Sequence, residues 1–430
     1  MIFRKLLIAA TLVMASGIVA VAQPVKPLAA ASLPELEAAG RARAESTGAR
    51  ARLPLADPAG DFASLEPAGS GHIPHYLRAF AVMPQGAAPM ARMVRTFIYG
   101  GTVAPETKLA MGLRVAQINR SPYVAVHLAR LLRSTERGAA LLGSMRNEKI
   151  SSLSTAEQSA IRYADLLTRD IHGINDRQFS ATRQSFNDSQ IVELTMVVCF
   201  FNYFTRFCEA LNLPVESWVL DPQSKPEIPK IERSVLTQSR IGLISDEEMT
   251  AVVAADTAAK DPATRSTGLG LSIANSQRAM MRVPDLQSAW RIYGAAVRNG
   301  SRIGREIQLQ VSLAVSMANG CRYCTVHQIV GLRRLGVDPA KLLAMRRDDQ
   351  ALTARERIAV SFARQLTAAP ASITDRDFAA LSAEFGEYGA LEVVLQTGAF
   401  SFMNRFTDNL RLPSEDEAIH VYQSVFGEKK

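Results

Sequence analysis

Three side chains in one short run can do chemistry together. They are Cys321, Cys324 and His327, in Cys321-Arg322-Tyr323-Cys324-Thr325-Val326-His327. Cysteines three apart on a helix share a face, so a disulfide or thiol exchange is geometrically open to them. A helix start also aims free N–H groups and positive potential at the sulfurs, which favours the reactive thiolate. His327 falls near the same face and can move a proton. Three readings of the run stand side by side: a zinc site, a structural disulfide in an oxidising compartment, and redox chemistry. Zinc needs four ligands and the run offers three; His72, His75, His172 and His420 show no matching spacing. The other two cysteines, Cys199 and Cys208, lie in the aromatic-rich run Met196–Leu211. On a helix they stand about 13 Å apart along the axis. That is too far for a mutual disulfide, and they read as buried core thiols.

The body of the chain repeats, and the repeat says how the run is held. At an offset of 200, Ile73, Arg78, Ala79 and Pro84 recur as Ile273, Arg278, Ala279 and Pro284. Gly100 recurs as Gly300, and Val115, Asn119, Tyr123, Val126 and His127 recur as Val315, Asn319, Tyr323, Val326 and His327. After one deletion the offset is 199: Glu157 recurs as Glu356, Asp176-Arg177 as Asp375-Arg376, Glu193 as Glu392, Arg206-Phe207 as Arg405-Phe406 and Leu213-Pro214 as Leu412-Pro413. A register held this long predicts two copies of one domain, over 71–221 and 271–420. Between them runs a linker, 222–270, in which Ser245–Ala259 predicts a helix with Ser245 as N-cap and Glu248 closing a capping box. Residues 421–430 read as a tail.

The first copy's equivalent of the cysteine run is Ser121-Pro122-Tyr123-Val124-Ala125-Val126-His127. Ser followed by Pro signals a helix start. The repeat therefore places Cys321 at the cap and Cys324 in the first turn of a helix that continues to Leu335 and stops at Gly336. With Ser121 and Val124 in place of the sulfurs, the first copy reads as redox-silent, and His127 as a packed or hydrogen-bonded core histidine. Arg206 and Arg405 read as ion-pair partners, with Glu193 and Glu392 as the acids. Thr102–Ile118, Arg302–Ala318, Ile191–Leu211 and Leu391–Leu410 are long, apolar and beyond strand length, and strand signals are scarce, so both copies read as all-α.

Of the 430 residues, 47% are apolar and 21% charged, an ordinary globular composition with room for two or three domains. Four cysteines exclude a disulfide-dense scaffold. The formal charge of +8 comes without a Lys/Arg block or an interleaved aromatic run, so nothing points to nucleic acid. Arg4 and Lys5, the apolar stretch Leu6–Val21 and Ala20-Val21-Ala22 read as a secretory signal peptide over 1–22, with an uncleaved anchor as the alternative. No twin arginine and no following cysteine accompany it. Removing Arg4 and Lys5 takes the charge from +8 to +6. No later segment reads as a membrane span, so the processed protein is expected to be soluble, in the periplasm or outside. Residues 23–70 read as a mobile Ala/Pro-rich lead-in with one helix, Leu33–Arg43, capped by Ser32 and weakened by Gly40.

The stretch Leu309 to Asp338, with Ala318-Asn319-Gly320-Cys321-Arg322-Tyr323-Cys324, His327 and Leu335-Gly336-Val337, resembles the carboxymuconolactone decarboxylase / alkylhydroperoxidase D-like superfamily. So does Phe402-Met403-Asn404-Arg405-Phe406. The resemblance implies an all-α domain that forms homo-oligomers, with two copies in one chain making an internal pseudo-dimer. It implies a thiol-dependent peroxidase and disulfide oxidoreductase in which Cys324 takes the peroxide oxygen as a sulfenic acid, Cys321 resolves it to a disulfide and His327 relays the proton. The implied partners are a small hydroperoxide and an external thiol or dithiol reductant, with no cofactor, metal, nucleic acid or, after cleavage, membrane. Two positions depart from the pattern. The Glu common twelve residues before the first Cys is Leu309 here and Leu109 in the first copy, which leaves Glu306, one turn earlier, as the candidate relay. The His stands three rather than four residues after the second Cys, with Gln328 at four. The superfamily also contains lactone decarboxylases that work without the pair, and a non-enzymatic binding protein with a structural disulfide is a further reading.

Overall fold

The computed structural model describes residues 29–45, 50–58, 72–221, 274–347 and 349–427, with the single residues 62 and 65. The leader at 1–22 and the linker helix expected at Ser245–Ala259 lie outside the described residues. Among the described residues the chain is helical, without strands. The first half holds α1 (Leu33–Glu45), α2 (His75–Arg78), α3 (Ala87–Tyr99), α4 (Pro105–Asn119), α5 (Pro122–Leu132), α6 (Glu136–Arg146), α7 (Thr155–Arg169), α8 (Asp176–Arg183), α9 (Asp188–Ala210) and α10 (Ser217–Leu220). The second holds α11 (Asn275–Met280), α12 (Pro284–Arg298), α13 (Arg305–Asn319), α14 (Arg322–Arg334), α15 (Pro339–Arg347), α16 (Ala354–Ala368), α17 (Asp375–Asn409) and α18 (Asp416–Phe426). α18 takes up most of the expected tail.

Local signals set these bounds. Ser154 with Glu157 opens α7 as a reciprocal capping box, and Thr353 with Glu356 opens α16 the same way. The recurring glutamates at 157 and 356 are thus helix starts first. Asn187 with Gln190 opens α9. In the second half α17 runs through the equivalent junction, with a kink at Gly386, whose φ of 67° suits glycine alone among common residues.

Each half packs around one central helix. α9 is buried along almost its whole length and lies against α4, α7 and α17. By length and composition it is apolar enough to cross a membrane, which the sequence reading overlooked; its apolar stretch is entirely inside the fold, where it serves as a core helix. α9 and α17 also join the halves. Arg206 on α9 donates to the carbonyl of Thr367, and Arg405 on α17 donates to the carbonyl of Thr168, residues related by the offset of 199. This replaces the expected ion pairs with Glu193 and Glu392: each arginine closes the C-terminal end of a helix in the other half. Aromatic packing adds to the junction, with Trp290 stacked on Phe402 at 4.1 Å and Tyr203 hydrogen-bonded to Tyr293.

The lead-in is not free where it is described. Ser32 and Glu35 cap α1 reciprocally, and Leu33 and Leu36 are buried. Gly40 is the contact point rather than a weakness: a Cβ there would stand 2.7 Å from Val126 Cγ2 of α5. Arg52 donates to the carbonyls of Glu209, Ala210 and Ile373, tying this segment to both halves.

Candidate active site

Cys321 is the N-cap of α14, and its sulfur accepts the backbone N–H of Cys324 at 3.3 Å. The first copy predicted this start, although Ser121 itself makes no side-chain cap; its hydroxyl is diverted to Glu209 at 2.7 Å. Both cysteines are free thiols, 0% and 3% exposed. The Thr407 hydroxyl lies 3.4 Å from Cys321 Sγ and 3.5 Å from Cys324 Sγ, so one group bridges the two sulfurs. The pair is asymmetric. Burial pushes the Cys321 thiol well up, and the neighbouring Cys324 adds to this. Burial acts on Cys324 too, but hydrogen bonds from Cys321, Thr407 and Asn404 outweigh it and hold that thiol below its ordinary value. Of the two, Cys324 is the one whose surroundings favour the thiolate.

His327 lies on the same helix and does not bond to either sulfur. Its Nδ1 lies 2.7 Å from the carbonyl oxygen of Tyr323, and its Nε2 lies 2.6 Å from Glu415 Oε2. A backbone carbonyl at one ring nitrogen and a carboxylate at the other both favour the protonated ring. Burial lowers its basicity, but the bonds to Glu415 and the Tyr323 carbonyl outweigh it and raise the pKa. Glu415 also accepts from Tyr323 Oη at 3.1 Å and from the backbone N–H of Asn275 at 2.7 Å. The sequence reading missed Glu415, Thr407 and Asp408. The repeat carried a signal for the first: Glu216 and Glu415 keep the offset of 199, each two residues after a Leu-Pro pair.

The structure does not bring Glu306 to the cysteines. It sits in the first turn of α13, about 20 Å along that helix from Cys321, and bonds Lys341 Nζ at 2.8 Å and Gln310 Nε2 at 3.0 Å. The first half keeps the bracket and lacks the sulfurs. His127 Nε2 lies 2.9 Å from Glu216 Oε2, and Tyr123 Oη donates to Glu216 Oε1 at 2.8 Å. Cys199 and Cys208 are fully buried, and burial raises both thiols. Among the described residues no group of three His, Cys, Asp or Glu side chains is arranged to hold a metal. A cavity of about 790 Å³ opens beside α7 and α8, lined by Arg114, Tyr163, Asp165 and Gln178 among others, and includes no residue of the cysteine site.

An all-helical core that presents a Cys-x-x-Cys pair at a helix start defines a helical dithiol protein. Residues 284–365, which contain the pair and His327, match the model of the carboxymuconolactone decarboxylase family. Solved structures similar to the chain include a variant of the debrominase Bmp8 in complex with 2,3,4-tribromopyrrole, at 22% identity over 40% of this chain and 93% of that one, with a TM-score of 0.35. The apo form of Bmp8 is similar at 23% identity over 40% and 94%, with a TM-score of 0.35. An uncharacterized peroxidase-related protein from Silicibacter sp. TM1040 is similar at 20% identity over 41% and 90%, with a TM-score of 0.35. No curated protein matches the chain.

Proposed function

We propose that the protein is an exported thiol-dependent peroxidase and disulfide oxidoreductase with Cys324 and Cys321 as its redox pair. The asymmetric thiol pair carries this reading: one hydroxyl, Thr407, contacts both sulfurs, and their surroundings lower the pKa of Cys324 and raise that of Cys321. The Cys324 thiolate attacks the terminal peroxide oxygen, the O–O bond breaks, and an alcohol leaves with one proton. The resulting sulfenic acid condenses with Cys321 to a disulfide and water. The peroxide gains the two electrons that the dithiol loses, and an external dithiol reductant returns them by exchange. His327 contributes as a fixed positive charge near Cys324, held by Glu415, rather than as a base.

In the same reading, residues 1–22 are the export signal, the pair works in an oxidising compartment, and the two halves are tandem copies paired as an internal dimer within a homo-oligomer. The reciprocal Arg206–Thr367 and Arg405–Thr168 bonds support that pairing, because a twofold interface produces each contact twice. The test is peroxide consumption coupled to a dithiol reductant. Wild type is expected to turn over and Cys324→Ser to lose essentially all activity. Equal activity in that variant overturns the reading, and cysteine-independent turnover of a lactone acid places the protein with the decarboxylases instead.

A further inference from the structure

Disulfide closure needs a base for Cys321, the thiol that burial holds protonated. His327 is engaged elsewhere: its two ring nitrogens contact the Tyr323 carbonyl and Glu415 and neither bonds a sulfur. Thr407 touches the sulfurs but is a hydroxyl. The next residue on α17 is Asp408; its equivalent in the first half, Glu209, accepts from Ser121, the equivalent of Cys321, and Cys321 and Asp408 influence each other electrostatically. Asp408 Oδ2 is buried and has no hydrogen-bond partner in the protein. His172 Nε2 stands 3.8 Å from it, on the turn that follows α7 in the first half. That turn is held by the His172 N–H donating to Asp170 Oδ1 at 2.9 Å, and its Ile171 packs with Cys321, Tyr323 and Cys324.

The first half supplies the contrast. Glu209 occupies the position equivalent to Asp408, and there the carboxylate is fully engaged: Ser121 Oγ donates to Oε1 at 2.7 Å and Arg43 pairs with Oε2 at 3.0 Å. The residue equivalent to His172 is Ala371. The acid at this position is held by a hydroxyl and an arginine where the Cys-x-x-Cys pair is absent, and where the pair is present it has only the longer approach of His172.

We propose that Asp408 is the catalytic base for Cys321 and that His172, contributed by the cysteine-free half, positions it and tunes its charge. The inference rests on the dithiol reading above. As the Cys321–Cys324 bond forms, the Cys321 proton passes to Asp408, the S–O bond of the Cys324 sulfenic acid breaks, and the departing hydroxide takes that proton to leave as water. Asp408 is faced by Cys321 and Cys324 from α14 and by His172 from the first half. Burial raises its carboxyl, while Cys321 and His172 oppose the rise. Closure therefore accelerates as pH rises through the Asp408 inflection, below the pH at which Cys321 ionises unaided.

The test uses the full reduced chain and 4,4′-dithiodipyridine, which needs no peroxide. The first thiopyridone released reports attack by Cys324; the second reports closure by Cys321. Asp408→Asn is expected to leave the first release nearly unchanged, slow the second about tenfold or more, and move its pH inflection upward, with Asp408→Glu restoring most of the rate. His172→Ala is expected to move the same inflection upward by less, and to add nothing in the Asp408→Asn background. Circular dichroism checks that each variant keeps its helix. A second release unchanged in rate and pH profile in Asp408→Asn overturns the inference. So does a wild type that releases no thiopyridone, or a His172→Ala effect that persists without Asp408. Absence of peroxide turnover with normal two-step release removes the peroxidase reading and leaves this inference standing.

Discussion

The two halves keep the same tyrosine–histidine–glutamate bracket and differ in what stands beside it. Tyr123, His127 and Glu216 in one half, and Tyr323, His327 and Glu415 in the other, tie the second turn of a helix to the segment after the central helix. The bracket persists where the Cys-x-x-Cys pair is absent, so its first task is to hold that segment in place. Chemistry enters with four exchanges: Ser121 to Cys321, Val124 to Cys324, Cys208 to Thr407 and Glu209 to Asp408. Together they replace a satisfied polar cluster with two thiols, a hydroxyl that contacts both sulfurs and an acid whose buried Oδ2 accepts no hydrogen bond.

If these four exchanges act together, two of them are not enough. Ser121→Cys with Val124→Cys, made in a chain whose own pair is Cys321→Ser and Cys324→Ser, is expected to consume peroxide at roughly a hundredth of the wild-type rate or less, because the proton path and the preset thiolate are both absent. A coupled peroxide assay checks this, and activity near wild type would show that the sulfurs alone suffice.

The halves also differ in a buried charge. Lys108 pairs with Glu193 at 3.0 Å, and both side chains are inaccessible. The second half has Gln308 and Glu392 there, with Glu392 Oε1 unpartnered. Lys108→Met strands a buried carboxylate and is expected to cost about 3–5 kcal/mol in a denaturant titration. Gln308→Met is expected to cost about 1 kcal/mol.

The bracket should respond to pH with a definite sign. Glu216 is almost fully buried; burial raises its carboxyl, but His127 and His75 outweigh that and bring it to about 2. A carboxyl depressed in the folded state stabilises fully above its unfolded value, about 4.3. That stability drains as pH falls from there toward 2. His327 is raised, so its contribution is complete below about 6.5 and is lost as pH climbs through its higher folded value. Thermal melts against pH should show an acid loss that Glu216→Gln removes and an alkaline loss that Glu415→Gln removes, each variant costing about 1–3 kcal/mol at neutral pH. The smallest expected change is Gly40→Ala, which forces α1 away from Val126 for about 1 kcal/mol, read as a lower melting temperature with the site chemistry unchanged.

Much of the local structure was legible from residue order alone. Helix starts were readable wherever a side chain bonds within three or four residues, as at Ser32 and Cys321. The family resemblance rested on the run around the two cysteines, and the match over 284–365 falls on that run. Glu306 shows where such reasoning stops: it is close to the expected position in sequence, but the axial rise of α13 carries it to the other end of the helix and into a Lys341 pair. Arg206 and Arg405 show the same limit, because their acceptors lie across the junction in the other half.

By itself the sequence determined the all-helical class, the dithiol and the helix start that receives it, because apolar spacing and capping act over a few residues. Only the tertiary structure decided which groups surround each thiol, which groups hold His327, and that His172 reaches Asp408 next to Thr407. Those outcomes depend on burial and on contacts between residues far apart in the chain, up to 236 positions for His172 and Asp408, and no local pattern encodes such distances.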